Sequence, residues 1–187
     1  CAAFFFCFLQ FSCNYFELFG LPASYKVDLA LLAKRYHELQ CKFHPDRHMG
    51  GTPYEQRLAV QYVSFINQAY TELESSLARA KYLLFLKKLE FSDETNIVSD
   101  PIVLMEQIEL REKLSDINKS DVGLIALDAL RKEASLGYTE IQEIFEQQYN
   151  QSEFQAAFAS LEKMQFMSKF LIEIERFEEN FDDLKLN

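Results

Sequence analysis

The stretch LALLAKRYHELQCKFHPDRHMGGTPYEQRLAVQYVSFINQAYTEL, residues 29–73, decides the fold. Leu29, Leu32, Tyr36, Leu39 and Phe43 recur at the three- and four-residue intervals that gather apolar side chains on one face of a helix. Asp28 precedes them as an N-cap. Pro45 ends the run, because its ring disfavours helical backbone in the residue before it. Beyond the loop HPDRHMGGTP the helical period resumes through Leu58, Tyr62, Phe65, Ile66, Ala69 and Leu73. Two helices joined by a short loop form an antiparallel hairpin.

The same reading extends in both directions. Upstream, NYFELFGLP is a short apolar helix stopped by Gly20 and Pro22. Downstream, SLARAKYLLFL adds a fourth helix that closes near Leu86, so residues 14–88 form one block. KKLEFSDETNIVSD breaks the periodicity, and residues 89–99 are expected to link two domains. In residues 100–187, Asp100 caps a helix with Pro101 at its first position, SDVGLIALDALRKEASLGYTEIQEIFEQQYN forms a second, and a third runs from about Gln151 to Leu184. The expected class is all-α, a four-helix N-terminal domain followed by an antiparallel three-helix bundle. Five glycines and four prolines in 187 residues, with few β-branched runs, agree with long helices.

Composition narrows the function. Residues 14–88 hold ten Lys+Arg against seven Asp+Glu, whereas residues 89–187 hold nine against 22. The halves are therefore expected to meet different partners. An acidic whole without a basic run disfavours nucleic acid and membrane surfaces. Cys1, Cys7, Cys13 and Cys41 form no C-x-x-C pair and no zinc spacing, so neither a disulfide framework nor a cofactor is expected, and the compartment is read as reducing. The apolar segment CAAFFFCFLQFSC, residues 1–13, is too short to span a bilayer and lacks the basic residues of a signal or transit peptide. It is read as non-native upstream sequence, the remnant of a signal or anchor, or a native extension packing on the core, and is set aside from the fold. With no transit peptide, a bacterial cytoplasm is expected.

The turn itself poses a chemical question. His44 and His48 stand four residues apart, but Pro45 prevents the continuous helix that would align them as a metal pair. HELQC departs from the zinc-protease pattern, since Cys41 stands where its second histidine belongs; His37 is read as a surface residue. No phosphate-binding loop or nucleophile elbow supports an enzyme. A proline corner does suit recognition: it holds His44 and Asp46 outward on stiff backbone and lowers the ordering cost of binding. Asp46 can accept charge-assisted hydrogen bonds from an arginine of a partner. Lys34, Arg35, Lys42 and Arg47 supply surrounding positive charge, though Lys34 and Arg35 alone would pass for an ordinary solvated face.

KRY on one helix, HPD in the loop and FINQAYTEL on the next helix together resemble a J domain, the module that recruits and activates seventy-kilodalton heat-shock chaperones. Many J domains carry a basic pair directly after the tyrosine. Here His37 and Glu38 follow Tyr36, which weakens the positive face and favours a dedicated chaperone. In the second block, LMEQIELREKL and the order of J domain then acidic bundle are similar to the HscB-type co-chaperones of iron-sulfur cluster assembly. The resemblance spans residues 14–184. It implies a chaperone surface of His44, Pro45, Asp46, Lys34, Arg35, Lys42 and Arg47 facing an HscA-type chaperone, and no catalytic residue in this chain.

Helical geometry adds a second surface. Val103, Leu110, Leu114 and Ile117 form the natural core stripe of their helix, while Leu104, Met105 and Ile108 lie well off it, on the side of Glu112. An apolar patch rimmed by acids fits a docking site. Burial against the N-terminal domain, or against another helix of the bundle, would serve the same residues. On the last helix Phe166 lies roughly opposite Leu161, Met164 and Leu171 and is available to join the patch. The resemblance implies that Leu104, Met105, Ile108, Glu109, Glu112 and Phe166 contact the cluster scaffold protein IscU; the alternative is a J-domain co-chaperone for a different client.

Overall fold

The computed structural model describes residues 13–44, 50, 52–88, 101–117 and 121–182. Its described residues contain seven helices and no strand. The expected linker 89–99, the cap Asp100 and residues 1–12 lie outside the described residues. The chain divides into two compact units, Cys1–Lys87 and Lys88–Asn187.

In the first unit α1, Tyr15–Leu18, begins with a capping box: the Asn14 side chain accepts from the Glu17 N–H, and the Glu17 carboxylate accepts from the Asn14 N–H, both at 3.0 Å. Gly20 ends it at φ +63°, a left-handed conformation that glycine adopts without a Cβ penalty. α2, Leu29–Phe43, is capped by Asp28, whose carboxylate accepts from the Leu31 N–H at 3.0 Å. α3, Pro53–Glu74, starts one turn earlier than its apolar period, because Thr52 and Glu55 form a second capping box and Pro53 occupies the first helical position. Ser75 is extended at φ −72° and ψ 124°, so the chain turns a corner there and re-enters helix as α4, Ser76–Leu86.

The core of this unit is Phe16, Leu18, Phe19, Leu32, Tyr62, Ile66, Ala69, Leu73, Leu83 and Leu84, all buried. Leu29, expected on the apolar face of α2, is the first residue of that helix and remains 50% exposed. Leu58 and Phe65 are only partly buried, and Ala59 takes the buried position instead. Arg79 is buried as well. Its guanidinium donates to the Tyr25 carbonyl at 2.7 Å and to the carbonyls of Leu73 and Glu74, and it lies 5.3 Å from the centre of the Tyr25 ring. One cation thereby ties the loop after α1 to the corner between α3 and α4, satisfying carbonyls that a helix end leaves without partners.

The second unit is built on a long hairpin, α6, Asp121–Asn150, and α7, Phe154–Asp182, with α5, Pro101–Ser115, laid against it. The hairpin turns through Ser152 at φ +63°. A Cβ on Gly137 would come within 3.2 Å of the Met167 methyl, so this glycine lets α6 and α7 approach closely. Leu127, Leu130, Ala134, Met167, Phe170 and Ile174 of the hairpin form the core, and α5 adds Leu114 fully and Leu110 in part. Lys113 meets Glu133 at 2.8 Å and Arg111 meets Glu173 at 3.5 Å, but these pairs are largely exposed and contribute at most about 1 kcal/mol each.

Candidate functional sites

The helices α2 and α3 bring the motif residues of the hairpin together as a clamp. The Tyr36 ring stacks on Tyr70 with centroids 4.2 Å apart, and its hydroxyl donates to the Asn67 side-chain oxygen at 3.0 Å. Gln40 donates to the same oxygen and, at 3.2 Å, to the Tyr36 hydroxyl. Nearer the loop, Phe43 packs against Tyr62 at 5.6 Å. The Tyr36 of KRY and the Asn67 and Tyr70 of FINQAYTEL therefore fix one helix against the other and so hold the two ends of the connecting loop. Sequence reasoning recognised these residues by family pattern. Their work as a clamp became legible only once the two helices were paired.

His44 follows the last residue of α2 with φ −55° and ψ 130°, the extended backbone that a following proline enforces, and it is exposed. Lys34 and Lys42 are exposed on α2, and Arg35 is partly buried, with a guanidinium nitrogen 3.5 Å from where a Cβ on Gly20 would stand. The Lys42 ammonium lies 5.2 Å from the centre of the Phe43 ring. Pro45, Asp46, Arg47 and His48 lie outside the described residues. His37 is exposed, as expected of a surface residue. Among the described residues no group of histidine, cysteine and carboxylate side chains is arranged to hold a metal ion.

On α5 the two sides separate. Leu114 is 8% exposed and Leu110 packs against the core, whereas Leu104, Met105 and Ile108 are 48%, 63% and 46% exposed. Glu109 and Glu112 are exposed beside them. Phe166 departs from expectation. It is half-buried, packs on the core cluster, stacks on Phe170 with centroids 5.9 Å apart and is covered from α5 by the Arg111 guanidinium 5.2 Å from its centre. A flat ring between an aromatic and a cation is satisfied where it stands. Arg111, which the sequence did not single out, thus joins Phe166 to the helix that carries the patch, one turn beyond Ile108.

No described helix is long and apolar enough to cross a membrane. Residues 99–175 match the family model described as the HSCB C-terminal oligomerisation domain. A co-chaperone protein HscB homolog of Vibrio vulnificus is 39% identical over 166 residues, covering 89% of this chain and 97% of that protein. Among solved structures, the chaperone HscB from Vibrio cholerae superposes with a TM-score of 0.82 at 36% identity, covering 90% of this chain and 99% of the other. The human co-chaperone protein HscB gives 0.81 at 28% identity, covering 89% and 82%. Family model, sequence and three-dimensional fold agree, and the chain belongs to the HscB family of co-chaperones.

Proposed function

We propose that this co-chaperone is a non-enzymatic adaptor of iron-sulfur cluster assembly, working in the cytoplasm of a bacterium, with one docking face on each unit. The turn at His44, Pro45 and Asp46, flanked by Lys34, Arg35, Lys42 and Arg47, engages an HscA-type chaperone. By binding its hydrolysis-competent state more tightly than its other state, the turn speeds ATP cleavage; the reacting groups belong to the chaperone. The patch on α5, Leu104, Met105, Ile108, Glu109 and Glu112 with Phe166 at its margin, holds the scaffold protein IscU. The observation that carries this reading is the exposure of Leu104, Met105 and Ile108 on a helix whose other side serves the core. Leaving three large apolar side chains in water forgoes burial worth about 1.5–3 kcal/mol each, which a partner can recover. Met105 adds a flexible, polarizable contact. The matched family model carries oligomerisation in its description, and the reading extends to association of copies through the C-terminal unit.

The test is a pair of variants in two assays. Asp46→Asn is expected to abolish stimulation of the chaperone ATPase while IscU binding, measured by titration calorimetry, stays unchanged. Leu104→Ala combined with Met105→Ala is expected to weaken IscU binding by at least about tenfold. It should spare stimulation measured without scaffold. Failure of both variants in both assays would refute the division of labour, and intact IscU binding by the double variant would point to a different client.

A further inference from the structure

The α5 patch carries opposite charges on its two edges. At roughly 100° per residue, Leu104, Ile108, Glu112, Met105 and Glu109 succeed one another around the helix, and Arg111 stands roughly 20° before Leu104. The carboxylates therefore occupy the Met105 side of the patch and the guanidinium the Leu104 side, towards α7. We propose that Arg111 receives a carboxylate of the scaffold protein and so fixes which way round that partner lies on the patch. The proposal rests on the reading that the patch holds IscU, and it adds the chemistry of one edge.

The side chain is held ready. Its guanidinium lies 5.2 Å from the centre of the Phe166 ring, and its Nε approaches the Glu173 carboxylate at 3.5 Å, with both side chains of the pair still exposed. That distance exceeds the about 2.7–2.9 Å of a charge-assisted hydrogen bond. Glu173 steadies the cation without consuming its fork of donors, and Nη1 and Nη2 can still meet a carboxylate side by side. Lys113, the other cation of α5, is already paired: it meets Glu133 of α6 at 2.8 Å.

Docking makes an acceptor necessary. A partner that covers the patch up to the half-buried Phe166 also takes water from the guanidinium packed on that ring. A desolvated cation with only a long ion pair is costly, so the partner that fits brings an acceptor to that edge. A carboxylate matches the guanidinium in charge and in planar geometry. Because the ring already restrains the side chain, little freedom remains to be lost on binding. The matching surface of the scaffold has an apolar centre, a carboxylate facing Arg111 and basic groups facing Glu109 and Glu112. Reversed across the patch, the same surface would set like charges against each other.

Titration calorimetry of the full chain with IscU, at low and at high salt, tests this. Arg111→Met keeps an apolar stem on the Phe166 ring and removes the charge; binding is expected to weaken by about tenfold, with a shallower salt dependence. Arg111→Lys, which keeps the charge without the fork, is expected to fall between the two. Lys113→Met is expected to bind within about twofold of the wild type. In a double-mutant cycle, one Asp→Asn or Glu→Gln change on the scaffold is expected to lose nearly all its effect once Arg111→Met is present. Where Leu104→Ala with Met105→Ala weakens binding, three results would overturn the inference and leave the patch reading standing: wild-type affinity in Arg111→Met, equal losses in Arg111→Met and Lys113→Met, or no scaffold carboxylate coupled to Arg111. Intact binding by that double variant, or no binding by the wild-type chain, would overturn the patch reading and this inference with it.

Discussion

The helices α3 and α5 dispose of their apolar residues in opposite ways. On α3 the large ones fall mostly on one side, and Tyr62, Ile66, Ala69 and Leu73 are buried at helical spacing. On α5 they are distributed around the axis, so a single contact with the hairpin of α6 and α7 can cover only Leu114 fully, with Leu110 in part. The contrast teaches how periodicity decides whether a helix can hide its apolar residues in one contact. α3 buries most of its apolar surface in its own unit, leaving Tyr54 and Val60 exposed, and α5 leaves Leu104, Met105 and Ile108 facing water. Neither arrangement needs a strained backbone; periodicity decides both.

The strongest way to break this comparison is to remove a core side chain from the unit that carries the patch. Phe170→Ala, at a fully buried position, is expected to cost about 3–5 kcal/mol in a denaturant titration. Met105→Ala on α5 should stay within about 0.5 kcal/mol. Equal losses for the two would mean that the patch belongs to the core. A smaller effect sharpens the account of α3. Thr52→Ala removes the acceptor for the Glu55 N–H at 3.3 Å and should lower stability by about 1 kcal/mol, detected as a lower urea midpoint with an unchanged slope.

The smallest effect is alkaline. Burial first, together with the neighbouring Tyr15, Cys13 and Glu17, raises the Tyr82 phenol above its ordinary value of about 10, more than offsetting the hydrogen bond it accepts from the Tyr15 N–H; burial likewise raises Tyr15 and Tyr62. The folded state therefore keeps phenol protons that the unfolded chain has released. Stability is full below about pH 10 and falls as pH rises through the raised values. Tyr82→Phe should flatten that decline in a pH series of thermal melts.

Much of the architecture was legible along the chain. Caps and breakers are local chemistry: Asp28 begins α2 and Gly20 ends the turn after α1, because only nearby backbone and side chains are involved, whereas Pro53, read as the end of the loop, proves to be the first residue of α3. The α5 patch was legible too, because angles around one helix follow from residue numbers alone. Arg79 was not, since its carbonyl acceptors Tyr25, Leu73 and Glu74 come from separate segments. Nor was the placement of Phe166, whose neighbours Arg111 and Phe170 meet it only when α5 lies on α7.

By itself the sequence determined the helices, their caps and which side of each is apolar, because these depend on interactions within a few residues. Tertiary structure alone decided which apolar sides find cover. It buried the inner face of α6 and left Val122, Ile125 and Leu136 in water, and it set the ring of Tyr36 against Tyr70. Burial depends on what the rest of the chain brings alongside, and no local pattern carries that information.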